Sequence, residues 1–249
     1  MTDCYNINYR TKNPLPRLIK KKPKKVSRTL KIDQRNYIAP FEVVVHNSVS
    51  DCWVSFLGKV YNITPLLREY AGEDCIRPLV AFAGKDINDW FDESTGDIQH
   101  YIHPITGARV PHCPYGRIPH VQIQVPSTEW RPLDGLPWWK DDAKYLVGRL
   151  TKKVRPVRIT NMCICQEAII NVCCEDTISR IMERYRIFNS EPESYICRAL
   201  NKNLVMNKTL EENGIIDERE EYYRLGLPQS LYIPVIFMYY SDDFKHVEE

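Results

Sequence analysis

The sequence predicts an α+β chain of two small domains, and three observations carry that expectation. From residue 37 to residue 92, short stretches suited to helices surround one compact pair of strands. From 103 to 140, Pro and Gly recur too often for any long regular element. Beyond 150 the order becomes strand, strand, helix, strand, short strand, helical turn, strand.

In the first part, residues 39–47 suit a short helix with Pro40 in its first turn. Residues 53–57 and 59–63 read as a hairpin around Gly58. Residues 66–70 and 75–82 suggest short helices separated by Gly72, and 86–91 a further one capped by Asp86. In the middle, Trp130, Trp138 and Trp139 are costly to leave in water, so the Pro/Gly-rich stretch is expected to pack against both domains and hold them together.

In the last part, residues 155–162 and 167–172 are paired strand candidates, and Asp176 is placed to cap a helix bearing Ile178, Ile181, Met182 and Tyr185 on one face. Strands follow at 195–199 and 204–206. Thr209-Leu210-Glu211-Glu212 is a capping box for one helical turn ended by Asn213-Gly214, and a last strand spans 231–240. The expected divisions are a basic arm (1–34), a first domain (35–104), a packed connector (105–150) and a second domain (151–245).

The composition is that of a globular protein, 43% hydrophobic and 27% charged with net charge +2. No apolar run spans a bilayer, and the start of the chain lacks a signal-peptide core, so a cytosolic setting without membrane contact is expected. Nine cysteines in that setting imply reduced thiols. Lys and Arg crowd the first 36 residues against only Asp3 and Asp33, an arm suited to an acidic surface. With few aromatics among those lysines to stack on bases, nucleic acid ranks last as its partner.

Motifs that name a reaction are missing: there is no nucleophile elbow, phosphate-binding glycine loop or zinc-protease helix, and no enzyme is expected. Cys163, Cys165, Cys173 and Cys174 lack the gaps of a structural zinc site, and His103, His112, Cys113 and His120 lie in an irregular segment. Both sets are expected to be metal-free.

Several motifs in order, Asp51-Cys52-Trp53-Val54, Gly58-Lys59-Val60-Tyr61-Asn62-Ile63-Thr64, Ala83-Gly84-Lys85-Asp86 and Trp90-Phe91-Asp92, resemble a cytochrome b5 domain over residues 36–104. The last part resembles a ubiquitin-like β-grasp, notably at Asn201-Lys202-Asn203-Leu204 and Thr209 to Ile215. Its ending, Phe244 to Glu249, lacks the diglycine of a conjugated modifier, so an interaction module is expected. With Pro137-Trp138-Trp139 between, the whole resembles the family of cytochrome b5 domain-containing protein 1.

That resemblance implies a haem held by two axial ligands. The first position carries Tyr70, in Tyr70-Ala71-Gly72-Glu73 where a cytochrome b5 has His-Pro-Gly-Gly. The second falls on Tyr101, with His100 and His103 as alternatives. Tyr70 and Tyr101 would therefore be the iron ligands of any bound haem, which would favour ferric iron and disfavour electron carriage. Without haem, Tyr70, Phe82, Trp90 and Phe91 would fill the space. The family further implies an adaptor of the ciliary axoneme that associates with radial-spoke stalk proteins and helps regulate beating. A haem-binding redox sensor using Tyr70 with His100 or Tyr101 is the alternative, and a b5-type electron carrier ranks third.

Overall fold

The computed structural model describes residues 36–121 and 135–241. The basic arm and Trp130 lie outside them. In chain order the first half contains β1 (Tyr37–Ile38), α1 (Pro40–Val45), β2 (Asn47–Ser48), β3 (Asp51–Phe56), β4 (Lys59–Asn62), α2 (Thr64–Glu69) and α3 (Arg77–Ala81). It continues with β5 (Phe91–Asp92), β6 (Asp97–Ile98), β7 (His100–Ile102), β8 (Arg109–Pro111), α4 (Asp142–Tyr145) and β9 (Leu146–Leu150).

One sheet, ordered β1-β9-β4-β3-β2, forms the frame. The β3–β4 hairpin turns at Leu57-Gly58, both at positive φ, as a two-residue turn between twisted strands requires. Strand alternation then divides the side chains. Cys52, Val54, Phe56 and Tyr61 enter the main core with Leu66, Leu67 and Leu79 of the helices. Val60 faces the other way, into a small cluster with Ile38 and Val43. Burial of each large apolar side chain contributes about 1.5–3 kcal/mol, so the two-sided sheet is the principal source of order here.

Two expectations for this half are corrected. The helix expected over 86–91 is a single tight turn, Asn88–Trp90, because the Asp86 carboxylate accepts the Asn88 N–H and closes a local turn in place of capping a helix. The stretch expected as a connector is an integral part of the first domain. It supplies β9 to the interior of the sheet and places Trp138 and Trp139 in the first core, not between two domains. The domain therefore closes near residue 151, beyond 104.

The second half contains β10 (Val154–Asn161), β11 (Gln166–Cys173), α5 (Ile178–Tyr185), β12 (Tyr195–Ala199), β13 (Lys202–Asn203), α6 (Arg219–Arg224) and β14 (Val235–Tyr240). Its sheet order, β11-β10-β14-β12-β13 with β10 and β14 parallel, is a β-grasp. Ile178, Ile181, Met182 and Tyr185 of α5 are fully buried against Val157, Ile159, Val172 and Ile236 of the sheet.

Here too local expectations shift. Thr177, not Asp176, caps α5, its hydroxyl accepting the Arg180 N–H. Asp176 is instead buried, accepting from the Cys173 N–H and from Arg184. The strand expected over 204–206 does not form, since the Asn213 side chain takes both backbone groups of Val205. The Thr209/Glu212 capping box is present, with reciprocal bonds of 2.8 and 3.3 Å. The last strand starts at Val235, after Pro234.

The two halves meet at Arg184. Its guanidinium reaches Asp176 at 2.7 Å within the second half, and Glu42 at 2.6 Å and the Tyr37 carbonyl at 3.1 Å in the first. Glu42 uses its other oxygen to accept the Ala39 N–H at the start of α1. The arginine is thus held by two carboxylates: burial alone would weaken its charge, but Glu42 and Asp176 outweigh it and hold its pKa above the ordinary value.

Candidate cofactor slot

Tyr70 caps the C-terminus of α2, its N–H donating to the Leu66 carbonyl, and Gly72 at φ 91° then turns the chain. The ring is half-buried and packs on the main core, as do Ile76, Val80 and Phe82. Its open side faces His120, ring centroids 5.8 Å apart and nearly perpendicular. His120 Nδ1 accepts the Trp138 N–H at 2.9 Å, which assigns the proton of a neutral ring to Nε2. Since Trp138 is fully buried, the imidazole is tied to the core itself.

The segment 113–121 covers Phe82 and Trp90, two of the residues expected to line the cofactor space. Ile118 is 3% exposed within the main core, and Cys113 and Val121 pack beside it. Tyr115 lies over Phe82 and Trp90 at 4.6 and 5.9 Å. Gly116 lies against α3, where an added Cβ would be in ordinary contact with Pro78 at 3.5 Å. The space left among Trp90, Ile98, Cys113, Tyr115 and Ile118 is about 10 Å³. That gap has room for a water and for nothing larger.

Electrostatics agree. Burial, and then the neighbouring Glu69 carboxylate, push the Tyr70 phenol above its ordinary pKa, which works against the tyrosinate form while no metal is bound. Burial pulls the His120 imidazole below its ordinary value, with Glu69 opposing and Lys144 adding to the effect. Glu69 and Lys144 pair at 3.2 Å.

Tyr101 sits elsewhere in contact terms. It lies on β7, opposite Val110 of β8, is 44% exposed, and has ring neighbours His103 and His112. No ring contact joins it to Tyr70 among the described residues. His100 is exposed, on the wall of an open polar cleft with Asp89, Asp92 and Arg109. His103 Nδ1 accepts the N–H groups of Ile105 and Thr106, which fixes it as a turn former. The residues present thus do not fit a haem as the slot stands. Its facing pair is Tyr70 and His120.

Sequence reasoning missed that pair. His120 lies 50 positions from Tyr70 in an irregular stretch, and its left-handed backbone, φ 68°, has no sequence signature in a histidine. Among the described residues no three His, Cys, Asp or Glu side chains could hold a metal. Cys163 and Cys165 lie at the β10–β11 turn, while Cys173 and Cys174 lie at the opposite end of that hairpin. Burial pushes the Cys173 thiol up to about 12. No helix among the described residues is long and apolar enough to cross a membrane.

Comparison with known proteins places this geometry. The model of the "Cytochrome b5-like Heme/Steroid binding domain" family matches residues 40–151, taking in β9. Cytochrome b5 domain-containing protein 1 of Mus musculus is 42% identical over 214 residues, 86% of this chain and 93% of that protein. The Homo sapiens protein of the same name is 44% identical over the same shares. A solved ubl5 domain from the polyubiquitin locus of T. thermophila is 16% identical with a TM-score of 0.27, covering 35% of this chain and 93% of that one. These relatives are named for a domain, and their names state no reaction. With a b5-type domain of a haem-binding family, no histidine at either position assigned to an axial ligand, and a β-grasp behind it, the chain belongs to the cytochrome b5 domain-containing protein 1 family.

Proposed function

We propose that this protein is a non-enzymatic structural adaptor of the ciliary axoneme, associated with radial-spoke stalk proteins and contributing to the regulation of beating. The axonemal setting comes from the family resemblance. The observation that carries the adaptor reading is the packing at Tyr70, the residue at the first assigned ligand position: its ring meets His120, and Ile118 belongs to the same core. The second domain adds a surface for a partner, since Tyr223, Leu225, Leu231 and Tyr232, along α6 and the stretch after it, are each more than half exposed. The basic arm of residues 1–34 suits an acidic surface on the same partner or a neighbouring filament.

The test is attachment. Tagged full-length chain should co-sediment with demembranated axonemes and leave them in the fraction that contains the radial spokes. A chain lacking residues 1–34 should attach more weakly and with less salt dependence. Full-length protein that stays in the detergent-soluble fraction would remove the axonemal reading.

The family resemblance carries a second reading, a haem-binding redox sensor in which Tyr70 with His100 or Tyr101 holds iron. That reading requires a Soret band that collapses on Tyr70→Phe. A Soret band indifferent to that substitution, or none, would exclude Tyr70 as a ligand.

A further inference from the structure

We propose that residues 113–121 are a built-in occupant of the cofactor slot that competes with haem for the same space, with His120 acting as a blocker and not as an iron ligand. This goes beyond the adaptor reading and does not depend on it. A segment whose task was only to connect β8 to Trp138 could run over the surface. Here Ile118 is in the main core, His120 closes on the residue at the first ligand position, and Tyr115 shields Phe82 and Trp90. The same apolar and aromatic surface that would receive a porphyrin receives the chain.

The attachment is of a kind that can open. Within 113–121 the described backbone bonds are local, Gly116 N–H to the Cys113 carbonyl at 3.2 Å and Val121 N–H to the Ile118 carbonyl at 3.3 Å. No strand ladder fixes the segment. Its hold on the domain includes side-chain packing, the bond from the Trp138 N–H to His120 Nδ1, and the charge of Arg117 acting on Cys75. His120 keeps that bond in the left-handed region at φ 68°, a strained backbone for a histidine and one found at clamps and switches. Bonds of this local type open at lower free energy than the core.

If the segment and haem exclude one another, the apparent affinity for haem is the intrinsic affinity scaled by the fraction of molecules with the segment displaced. Loosening the segment must then tighten haem binding. His120→Gly removes the blocking ring and relieves the backbone, because glycine takes positive φ freely. The experiment is a haemin titration of full-length wild type and His120→Gly, followed by Soret absorbance, with hydrogen exchange of residues 113–121 measured in parallel. The expected result is at least about tenfold tighter haem binding by the variant. Any wild-type haem uptake should be accompanied by loss of amide protection in the segment. The proposal is overturned if His120→Gly binds haem no more tightly than wild type, or if wild type takes up one haem per chain with protection unchanged. Should His120→Gly fail to fold, Ile118→Ala takes its place under the same criteria.

Discussion

Tyr70 and Tyr61 show how the same residue type takes opposite roles a few positions apart. The Tyr61 hydroxyl donates to Asp142 at 2.6 Å while Lys59 holds the other carboxylate oxygen at 2.6 Å, so burial and that carboxylate both keep the phenol protonated. Tyr70 uses its ring against the core and His120, and its hydroxyl makes no hydrogen bond among the described residues. Tyr61→Phe should therefore cost about 1–2 kcal/mol in urea unfolding, and Tyr70→Phe less than about 0.5. Equal costs would mean that Tyr70 has a polar partner after all. His120 supplies a pH dependence. Its pKa in the folded state lies below the unfolded value near 6.5, so in that window the unfolded chain binds more protons and stability falls as pH drops below about 6.5. The groups around it are the Tyr70 phenol, Glu69 and Lys144. Urea midpoints at about pH 7.5 and 5.5 should differ less in His120→Gln than in wild type; an unchanged difference would assign the loss to other groups.

At the scale of elements, two contacts decide how the halves and edges hold. Arg184 is 11% exposed and Asp176 1%, and removing one partner of such a buried pair leaves the other uncompensated. Arg184→Ala should cost about 3–5 kcal/mol, and the loss should shrink markedly in an Asp176→Asn background; additive losses would show that the pair is not coupled. Gly148 on β9 has no room for a side chain, because a Cβ there would lie 2.3 Å from the Asn36 carbonyl oxygen. Gly148→Ala should push β1 from its place beside β9, with a cost of about 1–3 kcal/mol and loss of protection at the Arg149 and Thr151 amides, which donate to Asn36 and Ile38. Elements of this kind were unequally legible. Gly58 announced the β3–β4 turn, and the spacing of Ile178, Ile181, Met182 and Tyr185 announced α5, because local φ and helical period are written in a few adjacent residues. The membership of β9 in the first sheet was not, since pairing with β4 across some 85 positions is non-local and its flanking Pro and Trp residues read as a connector. Asp176 misled for a related reason: a capping residue type was recognised, but its buried partner, Arg184, lies in the third dimension.

On the scale of the whole molecule, a b5-type frame and a β-grasp are fastened through Arg184, and the short gap between β9 and β10 is itself bound, Thr151 and Lys152 both contacting Glu175. The candidate site was legible as a place, since the loop carrying Tyr70 follows α2 as the family order implies, but its contents were not. Nothing in the spacing of Cys113, Ile118 and His120 shows that they turn inward, because no periodicity governs an irregular segment. On the proposal made above, this chain keeps the shape of a haem domain and fills the slot with its own residues. Adding equimolar haemin to intact wild-type protein, and reading absorbance together with hydrogen exchange, tests it most directly. No stoichiometric Soret band and full protection of residues 113–121 are expected; one haem bound per chain with that protection intact would show that the segment does not fill the slot.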